Sequence, residues 1–81
     1  MRILPTARIE HRLPGRLRLR LPAMRGDHDF FSALEEAFAA HPSLGAVTLS
    51  PATASILFED IELGDRSFEL LARKEEWFEV Q

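Results

Sequence analysis

Arg16, Arg18 and Arg20 alternate with Leu17, Leu19 and Leu21 between Pro14-Gly15 and Pro22. At a period of two, an extended chain puts the guanidiniums on one face and the leucines on the other. A guanidinium presents a planar fork of donors that matches carboxylate and phosphate oxygens two at a time. Arg16, Arg18 and Arg20 are therefore the candidate residues for binding an anion or an acidic partner. The plain structural use of such a ladder is different: the methylene stems cover a sheet and the heads pair with nearby carboxylates or water.

A second constellation lies in the loop that follows. Met24, Asp27 and His28 bring a thioether, a carboxylate and an imidazole close together in sequence. Thioether and imidazole suit copper, whereas imidazole with carboxylate suits zinc, nickel or iron. These three are the candidate ligands for a transition metal ion. Ligands so close in sequence need a second element, or a second copy of the chain, to complete a coordination sphere. Asp27 and Asp29 are also placed to cap a helix instead.

Other chemistries find little footing. The chain has no cysteine, which excludes thiol nucleophiles, disulfides and iron–sulfur clusters. His11, His28 and His41 are far apart, and Ser32, Ser43, Ser50, Ser55 and Ser67 have no nucleophile context. The chain reads as a protein that is not an enzyme. Base stacking on a sheet needs exposed aromatics on central strands, and these strands offer arginine, Ser55 and Leu57 outward, so nucleic acid is not the expected partner.

Charge is divided unevenly along the 81 residues. Seven arginines stand against Glu10 in residues 1–26, whereas residues 27–81 carry twelve acids against Arg66, Arg73 and Lys74, for a net charge of −3. A basic front and an acidic back attract one another within the fold or between copies, so a homo-oligomer is an expected state. The apolar fraction of 46% suits a globular protein of one domain, residues 1–81. No stretch reaches the ~20 apolar residues of a membrane span. Pro5 interrupts the start before a signal-type apolar run develops, so a cytoplasmic location is expected.

The elements that position these residues follow from period and punctuation. Ala7, Ile9, His11 and Leu13 share a parity that Leu17, Leu19 and Leu21 continue across Pro14-Gly15. This predicts one long strand bent at a glycine bulge, because the type II turn favoured by Pro-Gly splays paired strands. Phe31, Leu34, Ala37, Phe38 and His41 make one face of a helix that begins at Asp27 or Asp29 and stops before Pro42. Gly45–Ser50 and Ser55–Asp60 read as strands with Val47, Leu49, Ile56 and Phe58 inward. Asp65 is expected to cap a second helix running through about Lys74, with Phe68, Leu71 and Ala72 inward. Trp77 to Gln81 reads as a short final strand with a Trp77-Phe78 edge open for pairing.

The expected architecture is thus α+β: a βαββαβ sandwich with two helices on one face of a four-stranded antiparallel or mixed sheet in the order 4-1-3-2. In it, Arg16, Arg18 and Arg20 lie on the open face beside Ser55, Leu57 and Glu59, and Glu59 is the expected carboxylate for one of the arginines.

The segment His11-Arg12-Leu13-Pro14-Gly15-Arg16-Leu17-Arg18-Leu19-Arg20 is similar to the opening of the second heavy-metal-associated domain family. His41-Pro42-Ser43-Leu44-Gly45-Ala46-Val47 and the run from Leu49-Ser50-Pro51-Ala52-Thr53-Ala54-Ser55 to Asp60 resemble that family's later turn and its "NPxTGS" hairpin. The resemblance spans about residues 9–72 and implies a ferredoxin-like fold. Ala54 and Ser50 stand where the family hairpin has glycine and asparagine, and the loop of Met24 and His28 lacks the cysteine pair of metal-binding relatives.

Family members occur as small free proteins and as modules of P-type metal-transporting ATPases. The resemblance implies a metal-handling accessory whose partner is a metal-transporting ATPase or another membrane protein. The alternative is a metal-free interaction or self-association module that docks through the arginine face.

Overall fold

A computed structural model describes residues 3–81. Strands β1 (Thr6–Leu13) and β2 (Arg16–Arg20) precede helix α1 (His28–Phe38), strands β3 (Ala46–Ser50) and β4 (Ser55–Glu59), helix α2 (Asp65–Lys74) and strand β5 (Glu79–Val80). Short 3-10 turns at Pro22–Met24 and Pro42–Leu44 lead into and out of α1. The five strands form one open sheet in the order β3-β4-β2-β1-β5. The β1–β5 pair is parallel and the others are antiparallel, so the sheet is mixed. No helix among the described residues is long and apolar enough to cross a membrane.

The strand number and order correct the sequence expectation at one point. Residues 6–20 are a hairpin closed by Pro14-Gly15, rather than one bent strand. Proline cannot supply a positive φ at the first turn position, so the left-handed residue is Gly15, at φ 74°. The strand twist that this turn would splay is restored further along. The register shifts between Ile9 and His11, leaving Glu10 as an extra residue on β1, and such a bulge sharpens the right-handed twist.

Each half of the expected first strand nonetheless finds its expected neighbour. Thr6 and Ala7 pair with β5, and Arg16–Arg20 pair with β4. The result is compatible with a ferredoxin-like fold in which the first strand is doubled.

The bulge also decides which side chains face the core. Ala7 is buried and Ile9 partly so, but His11 and Leu13 are exposed, with Leu13 at 52%. Arg12 takes the inward phase instead, opposite the buried Leu17. Its Nη1 reaches over the sheet end to donate to Asp65 Oδ2 at 2.7 Å. Asp65 is therefore the first residue of α2 and an ion-pair partner; Gly64 occupies the cap position and provides no side-chain bond.

One core joins both helices to one face of the sheet. Leu17, Leu19, Ile56 and Phe58 meet Phe31, Leu34 and Phe38 of α1 and Phe68 and Ala72 of α2. Phe58 is fully buried between the helices, with ring centroids 5.5 Å from Phe38 and 5.1 Å from Phe68. The expected open Trp77-Phe78 edge does not form: Trp77 is 7% exposed and Phe78 is fully buried. Trp77 meets Phe38 edge-on at 4.8 Å and His41 at 5.4 Å. Their large apolar area is worth more in the core than on a strand edge. Only Glu79 and Val80 remain to pair as β5.

Candidate functional site

The second face of the sheet carries no helix, and the arginine ladder lies on it. Arg16, Arg18 and Arg20 stand opposite Glu59, Leu57 and Ser55 of β4, as the parity of the two strands requires. On the other side they stand opposite Leu13, His11 and Arg8 of β1. Leu17 and Leu19 point the other way and are buried. The same alternation thus anchors the strand and aims its charges.

The ladder's counter-ion is not the one the sequence suggests. Glu59 stands across from Arg16, but among the described residues the two make no ion pair. The carboxylate that engages the ladder is Glu10, the bulged residue of β1, whose Oε2 lies 3.2 Å from Arg20 Nε. That distance suits an ion pair, but the nitrogen is shielded from solvent and lacks the alignment of a hydrogen bond. The geometry is therefore an electrostatic contact with donor capacity left over.

Among the described residues, neither the Arg16 nor the Arg18 side chain makes a hydrogen bond or an ion pair. Together with Glu10, His11 and Leu57 they border a depression of about 450 Å³ on the open face. Exposed guanidiniums without a fixed carboxylate are hydrated in the free protein, and exchanging that water for an acidic group leaves no buried charge unpaired. Leu57, half-buried in this depression, is its main apolar contact surface. Among the described residues, this face offers the exposed imidazole of His11 but no phenyl or indole ring, since Phe58 of β4 and Trp77 belong to the core.

The second constellation is committed otherwise. Asp27 is the N-cap of α1, and its Oδ1 accepts from Phe30 N at 3.0 Å. Met24 packs partly buried against the core, and His28 is exposed at the first turn of the helix. Among the described residues, no three His, Cys, Asp or Glu side chains converge to hold an ion. A carboxylate spent on a cap and a thioether spent on packing do not fit a metal ion. In metal-free buffer, Asp27→Ala is expected to lower unfolding stability by about 1 kcal/mol in a urea titration, the ordinary loss for an N-cap aspartate.

Two members of the basic cluster are not obvious from sequence spacing. Arg8 is brought directly opposite Arg20 by the hairpin. Arg25, after the 3-10 turn, donates from Nε to Ala52 O at 3.2 Å and so stands beside the β3–β4 turn. Arg8 owes its place to Pro14-Gly15 closing a hairpin, and Arg25 owes its place to the backbone bonds that hold residues 21–26 against the β3–β4 turn. No family model matches this chain, and neither a curated protein nor a solved structure matches it.

Proposed function

We propose that this chain is a small non-enzymatic docking module that takes a carboxylate-rich segment of a protein partner on the open face of its sheet. The observation that carries this reading is the pair Arg16 and Arg18, unpartnered beside a depression floored by Leu57. Two adjacent forks on a rigid strand favour acidic side chains spaced along an extended or helical segment. Among the described residues the face carries the His11 imidazole but no phenyl or indole ring, too small a stacking surface for a nucleic-acid platform, which argues for protein.

The heavy-metal-associated resemblance frames the module as an accessory domain of ferredoxin-like type. A detail at Ala54 supports that frame. It adopts φ 56°, at the position where the similar hairpin motif carries glycine, the residue that takes such a conformation without strain. The metal-accessory reading itself rests on the motif likeness, and Met24, Asp27 and His28 add no ligand set to it.

The test is binding of a fluorescent glutamate-rich peptide followed by anisotropy at low and physiological salt. Arg16→Gln with Arg18→Gln is expected to weaken binding by about tenfold or more, with charge-assisted bonds lost. Unfolding stability should stay within about 0.5 kcal/mol of the parent, as for surface substitutions in general. Equal affinity for parent and double variant would refute the docking face. Salt-sensitive self-association lost in the double variant would make a second copy, with its acidic second half, the occupant.

A further inference from the structure

We propose that a separate cavity at the end of the sheet binds a phosphate-class dianion between Arg8, Arg20 and Arg25. These three residues line a space of about 190 Å³ with Pro22, Thr53 and Ala54, and no acidic residue among those described lines it. The arginines come from β1, from β2 and from the segment after the first 3-10 turn, so the convergence is a product of the fold. The volume admits an inorganic phosphate or a small phosphomonoester.

The arrangement costs stability unless something anionic is present. Arg8 and Arg20 are directly opposed across β1 and β2, and like charges so placed repel. Arg25 adds a third guanidinium, held in place by its bond to Ala52 O. Among the described residues, Glu10 makes the one ion pair in which the three take part, and it leaves Arg20 Nε without a hydrogen bond. Three guanidiniums against this carboxylate leave a charge of +2, which a phosphate dianion neutralises.

Ligand shape also favours phosphate. A planar carboxylate satisfies one fork, whereas a tetrahedral phosphate offers oxygens in several directions to guanidiniums arriving from different elements. Thr53 adds a polar wall. Its hydroxyl lies 2.7 Å from Ser55 Oγ and 3.4 Å from Ser50 O, so it is already fixed in the free protein.

This inference shares Arg20 and Glu10 with the open face and otherwise rests on different residues. Calorimetric titration of the whole chain with inorganic phosphate, at constant ionic strength, tests it. Saturable binding at one site is expected. Arg8→Gln and Arg25→Gln should each weaken it by about tenfold, the loss of one charge-assisted fork. Glu10→Gln should tighten it by freeing Arg20, a gain that a merely structural role would not produce. The Arg16→Gln, Arg18→Gln double variant should leave it within about twofold, because those charges lie outside the cavity and are screened by salt.

Glycerol phosphate in place of inorganic phosphate separates the sources. Tighter binding of the ester assigns the site to a phosphomonoester, and binding of inorganic phosphate alone assigns it to the free anion. Absence of saturable binding, or equal weakening by the Arg16 and Arg18 changes, would overturn the proposal. Phosphate binding without peptide binding would sink the docking face alone, and the reverse result would sink this site alone.

Discussion

Gly45→Ala is expected to remove a large share of the stability of this protein. Gly45 follows the second 3-10 turn at φ 74° and ψ −150°, a region open to glycine and strained for any residue with a Cβ. A methyl group there would run into the backbone at the end of β4: it would overlap Glu59 O and come within 2.6 Å of Asp60 O. The Glu59 carbonyl cannot swing aside, because Glu59 is paired to both Arg16 and Ala46 within the sheet. Backbone strain and overpacking each cost about 1–3 kcal/mol, so a combined loss of about 3 kcal/mol or more is expected in urea unfolding. A chain of this length has a total of roughly 4–12 kcal/mol. Gly15→Ala is the control. Gly15 has the same φ, but a Cβ there meets nothing within 4 Å, so it should cost only the conformational term of about 1–2 kcal/mol. Equal losses at the two glycines would refute the close approach of the β3 entrance to β4.

Phe58→Ala is expected to cost about 3–5 kcal/mol, the range for truncating a buried aromatic residue. The ring is the contact through which β4 holds both helices, touching Phe38 on one side and Phe68 on the other. Its removal leaves a cavity that neither helix can close without leaving the sheet. Phe58→Leu should lose markedly less, since it keeps most of the apolar volume. The comparison is read from denaturant midpoints, with tryptophan fluorescence as the probe. Trp77 contacts Phe38, so loosening of α1 should also appear as a red-shifted native spectrum in the alanine variant. A loss under about 1 kcal/mol, the level of ordinary surface changes, would place Phe58 outside the core that joins the helices.

Positions governed by simple periodicity are legible in the sequence itself. The period-two alternation of Leu17, Leu19, Ile56 and Phe58 determines the buried face, and the opposite parity puts Arg16, Arg18 and Arg20 on the open one. The three-and-four spacing of Phe31, Leu34 and Phe38 likewise sets the inner face of α1. Two kinds of feature are not legible there. The first depends on competition between local rules: Pro-Gly favours a turn that splays strands, and only a bulge several residues away makes a hairpin acceptable. That bulge exposes His11 and turns Arg12 toward Asp65. The second depends on what the rest of the molecule needs. Trp77 and Phe78 have strand composition, yet a chain of this size lacks enough core to leave them at an edge. Arg8 and Glu10 join the arginine cluster through the hairpin register and Arg25 through contacts with the β3–β4 turn, neither of which a local pattern specifies.

The docking face is tested most directly by amide chemical-shift mapping of the whole chain with a glutamate-rich peptide. The perturbations are expected on Arg16, Arg18, Leu57 and His11, with α1 and α2 unmoved, and they should fade as salt is raised. Perturbations centred on the helices, or none on β2 at saturating peptide, would contradict the assignment of the open sheet face as the binding surface.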